Sequence, residues 1–97
     1  MEHLDFVYPA HPRTIRRAHI GVVSSGDLEV LIEPSEDSTT YVSVTTSVDG
    51  CGELWKTVLD RFFGSYDAAV RILINDAGAT PGIVLLRLEQ AAEASSQ

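Results

Sequence analysis

Residues 22–30 read Val22-Val23-Ser24-Ser25-Gly26-Asp27-Leu28-Glu29-Val30, two apolar runs joined by four small or polar residues. Ser, Gly and Asp are turn formers: glycine accepts positive φ, and Asp and Ser side chains bond their own backbone. On both sides of that tip the pattern has period two. Ala18, Ile20 and Val22 share one face before it, and Leu28, Val30 and Ile32 share one face after it. Glu29 and Glu33 fall on the opposite face. Such alternation belongs to half-buried strands, so the stretch is read as a turn between strands.

Working outward, His3–Pro9 alternates weakly and reads as a short edge strand stopped by Pro9 and Pro12. After turn chemistry at Pro34–Ser38, Thr40–Val48 places Val42, Val44 and Val48 on alternate positions. Three consecutive strands in a meander are the simplest expectation, because antiparallel neighbours need only short connections. Asp49-Gly50-Cys51-Gly52 then breaks the pattern. From Glu53 to Phe63 the period is helical, with Leu54, Trp55, Val58, Leu59, Phe62 and Phe63 on one side and Gly64 as a cap. Val70, Ile72 and Ile74 alternate as a further strand. Thr80-Pro81 reads as an N-cap followed by proline at the first helical position. Val84, Leu85, Leu88, Ala91 and Ala92 carry a second helix, with a strand over Ile83–Leu88 as the rival reading. Ala94–Gln97 is small and polar, so residues 93–97 are expected to fray. The expected fold is α+β: a mainly antiparallel sheet of four or five strands with two helices packed on one face, in a single domain over residues 1–97.

Composition narrows the function. Of 97 residues, 44% are hydrophobic and 22% charged, ordinary values for a folded domain. Fourteen acids against seven Lys and Arg give a net charge of −7, which repels phosphate backbones and argues against nucleic acid as a partner. A single cysteine rules out an internal disulfide and suits a reducing compartment. The N-terminal residues lack the layout of a secretion signal, and no apolar run is long enough for direct membrane insertion. A cytoplasmic location is the simplest expectation.

The chain is poor in catalytic chemistry. His3, His11 and His19 lie eight residues apart, a spacing that matches no metal-ligand pattern, so no metal is expected. Cys51 stands between glycines with no histidine nearby in sequence. Gly78–Gly82 precedes a helix but lacks the lysine of a phosphate-binding loop. Trp55, Phe62 and Phe63 sit at core spacing. No nucleophile, base and oxyanion site come together, and no catalytic residue is assigned. What remains is the SSGD tip. A serine hydroxyl at a protruding turn suits covalent attachment of a long arm, though on pattern alone a plain hairpin turn is the commoner meaning of these residues.

The segments SSGDLEVLIEP, VTTSVDG and NDAGATPGIVLLRLEQA, in this order and spacing, resemble the malonate decarboxylase acyl carrier protein (delta) subunit family from about residue 3 to residue 92. A more distant similarity is to the citrate lyase acyl carrier subunit. The resemblance implies a non-catalytic carrier that holds acetyl and malonyl thioesters while malonate is converted to acetate and CO2. It implies Ser25 as the covalent attachment point, flanked by Gly26 and Asp27, for 2'-(5''-phosphoribosyl)-3'-dephospho-CoA. It also implies as partners the transferase (alpha) and decarboxylase (beta, gamma) subunits, a malonyl transferase and a prosthetic-group transferase. The chain departs from the family pattern at Ser24, commonly glycine there, which leaves a second hydroxyl as an alternative. Ala77 stands where an aromatic residue is usual. Arg13, Arg16 and Arg17 are candidates for pairing with phosphates of the arm, and Asp27, Glu29 and Glu33 for docking partner enzymes. A citrate-lyase-type carrier and an unmodified α+β interaction module that binds a partner along its sheet edge stay open as alternatives.

Overall fold

A computed structural model describes residues 1–96. The described residues form strands β1 (Glu2–Pro9), β2 (Ala18–Gly21), β3 (Leu28–Pro34) and β4 (Thr39–Thr46), helix α1 (Gly52–Phe63), strand β5 (Val70–Asp76) and helix α2 (Pro81–Ser95). The strands make one sheet in the order β1-β4-β5-β3-β2. Every pairing is antiparallel except β4 with β5, which is parallel. The architecture is α+β, as the periodicities predict, and β1 is an edge strand.

The meander is not formed. β5 lies between β3 and β4 and pairs with both. The reason is in the crossover: parallel neighbours need a long connection, and α1 supplies it between β4 and β5. Placing β5 centrally buries Val70, Ile72 and Ile74 completely or nearly so. β4 also ends earlier than its alternation suggests, at Thr46, and Val48 is exposed.

Register turns the alternation into rows. Leu4, Val44, Ile74, Val30 and Ile20 face one another across the five strands, and Phe6, Val42, Ile72, Ile32 and Ala18 make the next row. Both helices cover this face. Trp55, Val58, Leu59 and Phe62 of α1 and Val84, Leu88 and Ala91 of α2 complete the core. Leu54, expected on the buried side of α1, is exposed instead. Tyr8 anchors α1 to β1, its hydroxyl donating to Asp60 at 2.7 Å and its ring 4.5 Å from that of Phe63. Gly64 ends α1 in the right-handed region, so no left-handed cap is used.

α2 begins as expected: the Thr80 hydroxyl accepts from the Ile83 N–H, and Pro81 opens the helix. The strand reading of Ile83–Leu88 is overturned, because Val84 and Leu88 meet the core at helical spacing. Of residues 93–97, expected to fray, 93–95 are helical in α2, and residue 97 lies outside the described residues. The helix runs on through Ser95, which is buried and whose carbonyl accepts from the Arg16 N–H at 2.8 Å. That bond ties the end of α2 to the segment entering β2.

Among the described residues no helix lies over the opposite sheet face. Its middle row is Asp5, Ser43, Leu73, Leu31 and His19, with Val7 and Leu73 exposed. Ile74 sits at the centre of the covered face and is fully buried. Ile74→Ala is expected to lower unfolding free energy by about 2–5 kcal/mol in a denaturant titration.

Candidate attachment site

Ser24, Ser25, Gly26 and Asp27 form a β-turn in which the Asp27 N–H donates to the Ser24 carbonyl at 2.9 Å. Gly26 has φ +76° while Ser25, like every described non-glycine residue, has no positive φ, so the turn is of type II, which requires glycine-like freedom at its third position. Ser25 therefore occupies the first corner and Ser24 the base. Both serines are exposed. Nothing lies within 4 Å of the point where a Cβ on Gly26 would sit, so the space beside the corner is open. Val22 and Val23, just before the turn, are 59% and 54% exposed.

The turn is short of free movement at its base. Gly26 N–H donates to the Ala77 carbonyl at 2.8 Å, and Ala77 N–H donates to the Asp27 carbonyl at 2.9 Å. These bonds continue the β3–β5 ladder, whose last strand pair is Leu28 with Asp76. Ala77 thus holds the turn through its backbone alone, and the ring usual at that position is not needed for this contact. Behind Ala77, Asp76 is buried and caps the following loop. Its carboxylate accepts from the Thr46 hydroxyl at 2.8 Å and from the N–H groups of Gly78 and Ala79.

A second clamp comes from α2. Arg87 Nε donates to Asp27 Oδ1 at 3.1 Å and Arg87 Nη2 to Asp27 Oδ2 at 3.0 Å, a forked pair. Asp27 Oδ1 also accepts from its neighbour's N–H, Leu28, at 2.7 Å. The Arg87 hydrogen bonds, followed by the Leu28 bond, hold the Asp27 carboxyl below the usual carboxylate range. Arg87 was invisible to sequence reasoning because it stands 60 residues away on a helix. Asp27, named as a candidate for docking partner enzymes, is thus engaged within the chain by Arg87.

Gly21 was also missed. It has φ +80°, and a Cβ there would stand 2.2 Å from the Leu28 carbonyl oxygen and 3.5 Å from Arg87 Cδ. A glycine at the end of a strand just before a turn was the available signal.

The remaining candidates lie apart. Arg17 pairs with Glu33 at 3.1 Å and Arg13 with Asp67 at 3.8 Å. Arg17 immediately precedes β2, whereas the turn follows it, and the four residues of β2 alone span about 13 Å. Arg17, paired with Glu33, therefore sits at the end of β2 away from the turn. Glu29 is engaged by Asn75 at 2.7 Å and His19 at 2.9 Å on the uncovered sheet face. His3 joins Asp5 and Thr45, and His11 joins Asp67. Cys51 precedes α1 and lines a small groove of about 170 Å³ with Trp55, Asp76 and Pro81. No group of His, Cys, Asp and Glu suited to a metal ion occurs among the described residues.

An exposed hydroxyl on a corner clamped at its base suits a body that carries a covalently tethered group. The comparisons with known proteins agree with that class. The model of the malonate decarboxylase delta subunit (MdcD) matches residues 15–95, and the chain belongs to this family. The malonate decarboxylase acyl carrier protein of Azotobacter vinelandii is 48% identical over 94 residues, covering 96% of this chain and 95% of that protein. Its counterpart in Pseudomonas syringae pv. tomato is 49% identical over the same shares. A chain in the crystal structure of a Pseudomonas malonate decarboxylase hetero-tetramer in complex with malonate superposes with a TM-score of 0.91 at 46% identity, covering 96% of this chain and 97% of that one.

Two tests follow from the geometry. Gly21→Ala is expected to destabilise the fold by more than about 1 kcal/mol by chemical denaturation, because alanine meets both a disfavoured φ and the Leu28 carbonyl. The lowered Asp27 pKa means the carboxylate's contribution is present above the unfolded pKa and is lost as pH falls through the folded one. Carboxyl-carbon NMR should show Asp27 titrating below the ordinary 3.8, with no transition of the turn between neutral pH and that region.

Proposed function

We propose that this chain is the acyl carrier subunit of a malonate decarboxylase, with Ser25 as the attachment point of its prosthetic arm. One observation carries the reading: in a chain of this family, the Ser25 hydroxyl stands exposed at the corner of a turn whose base is fixed by Ala77 and Arg87. Ser24 lies at the base of the same turn, with its N–H donating to the Val22 carbonyl and its own carbonyl accepting from Asp27. Both serines are exposed, and Ser25 is the one at the corner of the turn.

The residues fit the phosphoribosyl-dephospho-CoA arm that the family implies. Open space beside Gly26 leaves room for a bulky phosphodiester, and Arg87 cancels the charge of the nearest acid. When attached, the arm supplies a thiol that carries acyl groups in thioester linkage. Ser25 supplies the ester oxygen: its Oγ bonds to phosphorus of an anhydride-activated donor on the prosthetic-group transferase. The phosphoanhydride bond breaks and the hydroxyl proton passes to a base of that enzyme.

The chain's own contribution is position. A rigid sheet with both helices on one face holds the corner clear of the body, so the tethered thiol reaches successive sites at high effective concentration. Its side chains need transfer no proton, and the transferase (alpha) and decarboxylase (beta, gamma) subunits perform the chemistry. Among the described residues no helix is long and apolar enough to cross a membrane. We place the carrier in the cytoplasm, where its single cysteine stays reduced.

Intact-mass measurement after co-expression with the modifying enzymes tests the reading. Wild type and Ser24→Ala should each gain one arm, and Ser25→Ala none. An arm gained by Ser25→Ala but not by Ser24→Ala would move the site one residue. No gain by wild type would favour an unmodified interaction module.

A further inference from the structure

We propose that Arg87 is the positioning residue of the attachment turn: its fork on Asp27 holds the Ser25 corner and neutralises the acid beside it, so that a polyanionic arm donor can approach. The proposal rests on Ser25 as the acceptor and adds the residue that makes it receptive.

Four contacts converge. Arg87 meets both oxygens of Asp27, at 3.1 and 3.0 Å. Its Nη1 donates to Gln90 at 3.0 Å, one turn along the same helix, which fixes the plane of the guanidinium. Its stem passes 3.5 Å from where a Cβ on Gly21 would stand, ordinary packing distance, so it lies alongside the end of β2. Asp27 in turn binds the Leu28 N–H, the first residue of β3. Gly21, Leu28, Asp27 and Arg87 therefore form one buttress that joins α2 to both strands of the hairpin.

The pair is three-quarters shielded on each side, at 25% and 22% exposure. It is also bidentate, unlike the freely solvated pairs of long surface side chains that contribute little. Geometry and charge both follow from it. Asp27 closes the turn through its N–H, so gripping its carboxylate limits rotation of the residue on which the Ser25 corner depends. In loading, Ser25 Oγ forms a bond to phosphorus, the bond from that phosphorus to the departing anhydride oxygen breaks, and the hydroxyl proton leaves to the transferase. The donor, an anhydride-activated nucleotide, is multiply anionic. A bare carboxylate two residues away would oppose its approach, and a paired one does not. Lysine cannot replace the fork, since it presents a point charge rather than two parallel N–H groups.

Purified transferase, the anhydride-activated arm donor and Arg87→Met, Arg87→Lys and Asp27→Asn/Arg87→Met carriers test the proposal. Loading is followed by intact mass, and amide exchange at Gly26, Asp27 and Leu28 is followed in unloaded protein. Arg87→Met should lose about tenfold in kcat/KM for loading and exchange faster at those three amides, with exchange in β4 and β5 unchanged. Arg87→Lys, which keeps the charge and the fold, should load faster than Arg87→Met and slower than wild type. The double variant should regain part of the loss, because no unpaired carboxylate remains. Wild-type loading by Arg87→Met, or exchange raised equally throughout the sheet, would overturn the role. An arm gained by Ser25→Ala would instead sink the attachment reading, while amide exchange would still report on the Arg87 grip.

Discussion

The pairing of β3 with β5 is the constraint on which the rest of this structure depends. It runs in register from Pro34–Val70 to Leu28–Asp76 and continues one step further, into the bonds between Ala77 and the turn. Because β5 enters the sheet parallel to β4, the ends of both strands fall at the same edge of the sheet as the start of β3. The connections leading into α1 and α2, the Asp76 cap and the Ser25 turn are thereby gathered at one end of the molecule. A meander of β2, β3 and β4 would have placed β4 beside β3 and left the turn without its partner.

Charge in this protein is mostly internal to its surface rather than offered outward as a simple acidic face. Asp27 is held by Arg87, Glu33 by Arg17, Asp60 by Lys56 and Tyr8, and Glu29 by Asn75 and His19. The net charge of −7 still sets the long-range field, but the acids nearest the attachment turn do local work. Paired carboxylates next to the serine we propose as the attachment point reduce the repulsion that the overall charge would otherwise concentrate there.

Rigidity and reach are divided between the two parts of a carrier. The core is continuous across five strands and two helices, with rows of aligned apolar side chains leaving little freedom in the sheet. The turn is fixed at its base by backbone bonds and an ion pair, and only its corner stands free. On the proposed attachment at Ser25, mobility is left to the tether, and the body contributes a defined starting point for it. A looser turn would add conformations that a modifying enzyme must select against.

Periodicity alone was enough for most elements. Period-two runs at Leu28–Ile32 and Val70–Ile74, the helical spacing from Trp55 to Phe62 and the Thr80-Pro81 cap depend on local stereochemistry, so they survive in any fold that uses them. The SSGD turn and its exposed serine were legible for the same reason. Strand order was not, because alternation states which face a residue takes and says nothing about its neighbour strand. Nor were the persistence of α2 to Ser95, the distance of Arg17 from the turn, or the meeting of Arg87 with Asp27. Each of these depends on segments far apart in the chain, and only burial of the two helices against a sheet with β5 at its centre brings them together or keeps them apart.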